Sequence, residues 1–512
     1  MNLLSLSFFC FLLMLLAFYY LMPKRHRWIV LLAGSYLFYA AAGLRFVPLL
    51  LFTTVWTYLA AKKLGVYNRV IREELKQIGD KSLRKEKKEA VIRKKKRIVA
   101  LTLAVNVSVL FFFKTSYLWK EVPLLLPLGI SFYTFQTIGY LIDVYRAQIE
   151  PEQNLLRYAL FASYFPQIIQ GPIHRYRQLE PQLFEEKKFS WREIKLGFWL
   201  FLWGMFKKIV ISERAAVFVS HVLGSDLQET PGAMLLLGVF VFNLQLYTDF
   251  SGGIDMVSGI SQMFGITLAE NFRRPFFART LGEYWHRWHI TLGTWIKDYV
   301  FYPIAMSRTF GRLGKRAKDR FGNHIGRTLP AGITSVITFI LIGLWHDVTG
   351  YYFLYGIWHG MLMALSNLCE PLFERFRTCF EVRTECLSYR WMQRLRTFMI
   401  VTVGEYFSLA TGMAALGIMF RQTLLHFEYS SLFLGILNYG LDGKDWLVLA
   451  AGVLVLICVS MKQESGVRIR EALERQNLYF QWLMVLGILL TTAVFGVYGP
   501  GYDASAFIYG GF

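Results

Sequence analysis

EYWHRWHITLGTWIKDYVFYP runs from Glu283 to Pro303, and GLWHDVTGYYFLYGIWHG from Gly343 to Gly360. Five of the nine histidines lie between Glu283 and Gly360: His286, His289, His324, His346 and His359. His346 and His359 sit in strongly apolar sequence, whereas His324 falls in a basic insert. A ring that can carry a proton is costly inside a hydrophobic stretch unless it is paired or used. The chemistry is therefore expected in this region.

Around it the chain reads as membrane protein. Its 512 residues are 55% hydrophobic with a mean hydropathy of +0.37, which excludes an average soluble domain. The apolar residues come in runs of about 15–20, the length of a helix crossing a hydrocarbon core. The formal charge is +21, but the basic residues cluster between apolar runs. Cytoplasmic loops facing anionic lipid explain that pattern, and nucleic acid is not an expected partner. Five cysteines, Cys10, Cys369, Cys379, Cys386 and Cys458, are scattered without a CxxC pair and read as reduced and non-catalytic.

Met1–Tyr20 lacks a basic start and a clear small-residue cleavage site, so it reads as a retained first helix. The basic turn Pro23–Arg27 follows, then apolar runs at Trp28–Ala42 and Phe46–Ala60. Lys62–Arg97 is the strongest charge run, expected as a solvated cytoplasmic helix or loop. Counting crossings backwards from it places the N-terminus outside. Further spans are expected at Ile98–Phe113, Leu155–Ile169, Phe198–Ile209, Met234–Asp249, Leu329–Leu344, Tyr352–Leu365, Phe398–Phe420, Trp446–Val459 and Trp482–Val497. In Pro123–Arg146, Pro127 and Gly129 argue against a continuous helix at the start. Its polar points Thr134, Gln136, Asp143 and Tyr145 are expected to face the protein interior or a cavity. In all, the reading is an all-α polytopic membrane protein, a single domain over 1–512, with about 11–13 embedded helices, some broken or re-entrant.

Three further polar spots stand out. His174, Arg175 and Arg177 follow the break at Gly171–Pro172 and suit either an interfacial site that meets anionic groups or a plain basic interfacial turn. Asp249 and Asp255 flank Ser251–Gly253, where the helix either ends or opens to a cavity. Arg308–Arg327 reads as a flexible basic insert, with His324 a solvated loop residue.

His346 follows an apolar helix and precedes Asp347, with Gly350 close behind, so the helix is expected to end there. A neutral imidazole at such a place can take a proton from a hydroxyl attacking an acyl carbonyl. His286 and His289 are three apart and are expected on one helical face. Arg287 and Trp288 fill the gap, so there is no HExxH and no metal is expected. His289 then suits a second ring that positions or polarises the acyl group. Arg287, Lys297 and Asp298 are weaker candidates for holding a charged donor. Tyr351, Tyr352 and Tyr355 read as aromatic packing or cavity lining, and His359 as a packing residue that remains a secondary candidate for the site. With no G-x-S-x-G elbow and no Gly-rich nucleotide loop, the rival from another class is a transporter, whose substrate path also uses polar groups in broken helices.

Five stretches together resemble the membrane-bound O-acyltransferase superfamily, and within it the bacterial alginate O-acetyltransferase and D-alanyl-lipoteichoic acid transferase branch. They are LPLGISFYTFQTIGYLIDVYR, FPQIIQGPIHRYRQLEPQL, LYTDFSGGIDM, NFRRPFFARTLGEYWHRWHITLGTWIKDYVFYP and GLWHDVTGYYFLYGIWHG, in family order from Leu126 to Gly360. The tail, 361–512, is similar in hydropathy to the longer alginate-type members and ends AFIYGGF. The resemblance implies helices ringed around a central tunnel, with 126–360 as the core. It puts the family's catalytic histidine on His346 and the branch's second histidine on His289. Where family members often carry Gly after the catalytic histidine, this chain has Asp347. The resemblance implies no bound cofactor. It implies an acyl thioester co-substrate on the cytoplasmic side of a bacterial cell membrane, acetyl-CoA in the favoured case. The acceptor would be a hydroxyl of a cell-envelope polysaccharide on the outer side. D-alanine from an acyl carrier protein is the alternative donor chemistry. Expected partners are membrane lipids and a membrane-anchored or extracytoplasmic acyltransferase- or esterase-like protein.

Overall fold

The computed structural model describes residues 3–116 and 127–498. The start of Pro123–Arg146, including Leu126, and the AFIYGGF tail lie outside the described residues. All regular structure among the described residues is helical, as the apolar runs require: in lipid, only internally bonded backbone can span.

In chain order the first helices are α1 (Leu6–Leu21), α2 (Arg27–Gly43), α3 (Val47–Arg72) and α4 (Lys81–Lys114). The run Lys62–Arg97 is thus largely helical, divided between α3 and α4. Asp80 starts α4 by accepting the Ser82 N–H, the usual remedy for an unbonded helix start. Next come α5 (Ile130–Tyr145), α6 (Leu155–Ser163), α7 (Phe165–Gln170), α8 (Tyr176–Phe184) and α9 (Trp191–Met205). Gly129 has φ 64°, a left-handed conformation that glycine tolerates, and α5 begins only after it. Thr134, Gln136 and Asp143 are buried as expected. His174 is buried too, its Nε2 accepting the Ala269 N–H at 2.8 Å, so it anchors a turn.

A π-helical stretch, Phe206–Ser212, extends α9 into α10 (Glu213–Gly224). Then α11 (Gly232–Met263) runs unbroken through Ser251–Gly253. The expected termination there is corrected: a Cβ at Gly252 would lie 2.9 Å from the Gly204 carbonyl oxygen, so the glycine serves close packing inside a continuous helix. The central helices are α12 (Leu281–Arg287), α13 (Ile290–Ile296), a π-helical Lys297–Phe301, α14 (Tyr302–Ala305), α15 (Arg308–Phe321), α16 (Asn323–His346) and α17 (Gly350–Leu368). The basic insert is therefore a second correction. Its first part is the amphipathic α15, packed on α16, and His324 lies inside α16 with its Nε2 3.2 Å from the Leu368 carbonyl oxygen. The remainder is α18 (Glu370–Cys379), α19 (Leu387–Leu409), α20 (Met413–Leu425), α21 (Ser431–Leu434), α22 (Gly443–Glu464), α23 (Ile469–Glu474) and α24 (Leu478–Phe495).

Six helical stretches among the described residues are long and apolar enough to cross a membrane: Lys24–Gln77, Lys81–Lys114, Gly232–Met263, Asn323–His346, Gly443–Glu464 and Leu478–Phe495. Leu6–Leu21 and Met413–Leu425 are shorter apolar helices. The apolar window of Gly232–Met263 is 72% buried, against 11–33% for the other five. That difference explains why α11 can carry Asn243, Asp249 and Ser251: they face protein, where polar groups find partners.

The chain forms two compact units. Among the described residues, one comprises 3–116, 127–201 and 254–269, and the other 202–253 with 270–498. In the first, Tyr164 of the α6–α7 turn bonds Ser261 of α11 at 2.8 Å, and Tyr19 of α1 donates to the Phe264 carbonyl oxygen at 3.1 Å. The second contains both candidate active-site histidines.

Candidate active site

His346 is the last residue of α16. The backbone turns extended at Asp347 (φ −158°, ψ 151°), whose N–H still bonds the Gly343 carbonyl oxygen at 3.2 Å. The Asp347 carboxylate accepts the Val348 N–H at 2.8 Å, and α17 restarts at Gly350. The expected helix end is present, and it leaves the imidazole half-buried. The ring stacks on Tyr352, with centroids 5.7 Å apart and planes at 14°. It also lies near Trp345 (4.7 Å) and Tyr355 (6.2 Å). α16 and α17 can approach this closely because their contact runs over glycine. A Cβ at Gly343 would be 2.1 Å from the Tyr352 carbonyl oxygen, and one at Gly356 2.5 Å from that of Phe339.

His289 is held differently. α12 starts where Thr280 accepts the Glu283 N–H and stops at Arg287. Trp288 is extended, and His289 is left-handed with φ 44° and ψ 53°. For a residue with a Cβ that conformation is strained by about 1–2 kcal/mol, so it must be imposed. The segment Asn271–Arg274 imposes it. Arg273 N–H bonds the Arg287 carbonyl oxygen (2.9 Å) and Ile290 N–H bonds that of Asn271 (3.0 Å). The Asn271 side-chain oxygen lies 3.2 Å from His289 Nδ1. It also accepts the Thr291 N–H at 3.1 Å and the Thr291 hydroxyl at 2.8 Å. His289 and Asn271 are both buried, and Phe250 of α11 meets the imidazole edge-on at 4.8 Å.

The shared helical face expected for His286 and His289 is corrected by this turn. His286 lies within α12, exposed, with Nδ1 bonded to the Gly282 carbonyl oxygen at 2.6 Å. His289 lies beyond the helix end, on the far side of an extended residue.

Aromatic rings link the elements that carry His289 and His346. Trp285 of α12 stands perpendicular to His359, centroids 5.0 Å apart. His359 packs on Tyr355 at 4.6 Å, and Tyr355 neighbours His346. His359 is fully buried.

Of the weaker candidates, Arg287 pairs with Glu283 (2.6 Å) and with Glu464 at the end of α22 (2.9 Å). Lys297 is exposed, its Nζ 5.7 Å from the Tyr302 ring centre. Asp298 is half-buried in the same π-helical stretch. Arg287 and Lys297 thus have different neighbours. Among the described residues, no three His, Cys, Asp or Glu side chains cluster as a metal site would require.

Sequence reasoning missed Asn271, Glu464 and a buried charge cluster. Lys208 pairs with Asp249 and Glu213, and Lys207 donates to Ser251 at 2.9 Å. Lys207, Lys208 and Asp249 are all buried. Both lysines lie near the end of the expected span Phe198–Ile209. The available signal was a lysine pair on one helix and an aspartate within another apolar helix, each needing a counter-charge.

Residues 152–318, which include Asn271 and His289, match the family model described as MBOAT, membrane-bound O-acyltransferase family. The chain is 31% identical over 425 residues to a probable alginate O-acetylase AlgI of Pseudomonas fluorescens, covering 82% of this chain and 75% of the relative. The chain belongs to the membrane-bound O-acyltransferase family. Other members of the family resemble it as well. A peptidoglycan O-acetyltransferase of Helicobacter pylori is 31% identical over 397 residues, 70% of this chain and 66% of the relative. A teichoic acid D-alanyltransferase of Bacillus subtilis is 27% identical over 255 residues, 49% of this chain and 61% of the relative. As a member of the family, this membrane protein is an acyltransferase that draws on an acyl donor.

Proposed function

We propose that this protein moves an acetyl group from a cytoplasmic thioester, acetyl-CoA, to a hydroxyl of a cell-envelope polysaccharide on the outer side of a bacterial cell membrane. The observation that carries the reading is His346. It is a half-buried imidazole released at the end of an apolar helix and walled by tyrosine and tryptophan rings. Neutral His346 takes the proton of the attacking hydroxyl as its oxygen bonds the thioester carbonyl carbon. The tetrahedral intermediate collapses with loss of the C–S bond, and the proton passes to the departing thiolate. His289 is the second active-site imidazole and holds the reacting groups. The greater identity and coverage of the O-acetylating relatives favour acetyl over D-alanyl.

The whole chain acts as one acyltransferase domain, with 126–360 as its core and 361–512 as C-terminal helices. Its N-terminus lies outside and Lys62–Arg97 in the cytoplasm, by the positive-inside rule. Passing the group to a polymer beyond the membrane calls for a membrane-anchored or extracytoplasmic partner.

The test is mild-base release of ester-linked groups from the cell envelope, read by mass spectrometry, in cells carrying the intact chain or His346→Ala. Acetate lost only with the variant supports the proposal. Loss of D-alanine instead moves the donor to an acyl carrier protein. No change in either ester, with both proteins present in the membrane, overturns it.

A further inference from the structure

The clamp around His289 has a chemical consequence beyond its shape. Asn271 Oδ1 accepts the backbone N–H of Thr291. A backbone N–H can only donate, so the amide is oriented with its oxygen, not its nitrogen, toward this group. The same oxygen faces His289 Nδ1 at 3.2 Å. A carbonyl oxygen cannot donate, so Nδ1 carries the hydrogen. In the neutral ring the other nitrogen, Nε2, then carries a lone pair.

We propose that Asn271 is a positioning residue that locks His289 in the Nδ1–H tautomer, so that Nε2 accepts a hydrogen bond from an N–H or O–H of a substrate and does not donate to the acyl carbonyl. The inference rests on His289 being the second active-site imidazole. It revises that ring's role from polarising the carbonyl to gripping a donor group beside it. Two sources supply such a group: an amide N–H of the pantetheine arm of the thioester, or a hydroxyl on the acceptor sugar next to the one that reacts.

Three features support the lock. Asn271 and His289 are both buried, so water does not compete for Nδ1. The Thr291 hydroxyl bonds the same oxygen at 2.8 Å and helps keep the amide from turning over. The backbone bonds between Asn271 and Ile290 and between Arg273 and Arg287 fix the distance between clamp and ring.

The experiment uses the full chain in lipid nanodiscs with ¹⁵N-labelled histidine, the His289 signals being assigned by their loss in His289→Gln. Nitrogen shifts separate protonated from lone-pair ring nitrogens without any assay of activity. A protonated Nδ1 with an unprotonated Nε2 is expected, and a protonated Nε2 in the neutral ring overturns the proposal. Acetyl transfer to a cell-envelope fraction, with acetyl-CoA as the donor probe, provides the second readout. Asn271→Asp keeps an acceptor at the same place and should retain Nδ1–H and measurable transfer. Asn271→Leu should lose transfer by at least ~100-fold, the scale on which a wrongly held tautomer or second-sphere partner acts. A rise in KM for acetyl-CoA identifies the pantetheine N–H as the gripped group, and a rise in KM for the envelope fraction identifies the sugar hydroxyl. Unchanged kcat and KM in a folded Asn271→Leu overturn the proposal. Should Asn271→Leu fail to fold, the wild-type nitrogen shifts alone decide. Normal transfer by His289→Gln would instead defeat the active-site reading and leave the tautomer result standing.

Discussion

A Cβ placed on Gly404 would stand 2.4 Å from Nε2 of His359. α19 therefore accommodates this fully buried imidazole because residue 404 has no side chain. Gly404→Ala should push His359 against Trp285 and Tyr355 and cost about 1–3 kcal/mol of stability, the usual penalty for overpacking. Because Tyr355 also neighbours His346, transfer should fall even at temperatures where the protein remains folded. Thermal unfolding in detergent and acetyl release together check this. An unchanged melting temperature and rate would show that the contact is slack.

His346 lies at a helix end, and its ring bears on neighbouring rings more than on the helix. His346→Ala should therefore abolish ester formation while leaving protein level and size-exclusion profile near wild type. His346→Gln should be equally inactive, since an amide cannot accept and return the proton. Retained transfer in either variant removes His346 from the reaction.

The Lys208–Asp249 pair tests the buried charge cluster. Replacing Lys208 with Met takes the shared cation from both Asp249 and Glu213 and should destabilise by about 3–5 kcal/mol. Adding Asp249→Leu should recover part of that loss, because it removes the more deeply buried of the two stranded carboxylates. Chemical unfolding of the wild type and the two variants distinguishes this from mere disruption: a double variant no better than Lys208→Met would mean that burial of Asp249 without its cation is not what costs stability.

Glu464 receives Arg274 Nε at 2.6 Å and the Arg287 guanidinium at 2.9 Å. Both arginines border the clamp that holds His289, and Arg274 itself has φ 46°. Glu464→Gln keeps size and shape but weakens charge-assisted bonds worth about 1.5–3 kcal/mol each. The expected result is a reduced rate with little loss of protein, and faster hydrogen exchange in 271–291 measured by mass spectrometry. Exchange unchanged there would show that the clamp holds without α22.

Much of the site was legible because it depends on local rules. Gly350 after His346 and the polar Asp347 between them signalled the end of α16. Pro127 and Gly129 signalled the delayed start of α5. His289 was legible as a candidate but not in its placement. A three-residue spacing implies a common helical face only if the helix continues, and here Trp288 and a left-handed His289 interrupt it. Nothing local demands that turn, since hydrogen bonds from Asn271 and Arg273, more than ten residues away, impose it. The burial of Lys207 and Lys208 was not legible for the same reason. Two lysines at the end of an apolar run suit a membrane surface, and only Asp249, Glu213 and Ser251 make burial tolerable.

The sequence by itself determined an all-helical membrane protein and the short region proposed for its chemistry, because both follow from residue order: apolar run length, charge between runs, and polar rings among apolar neighbours. Only the tertiary structure decided which polar groups have partners. It made α11 a buried helix, turned the lysine pair inward, separated His286 from His289, and placed a carbonyl oxygen against His289 Nδ1. Those outcomes depend on which side chains meet across the fold, and hydrogen bonds and ion pairs act only over a few ångströms.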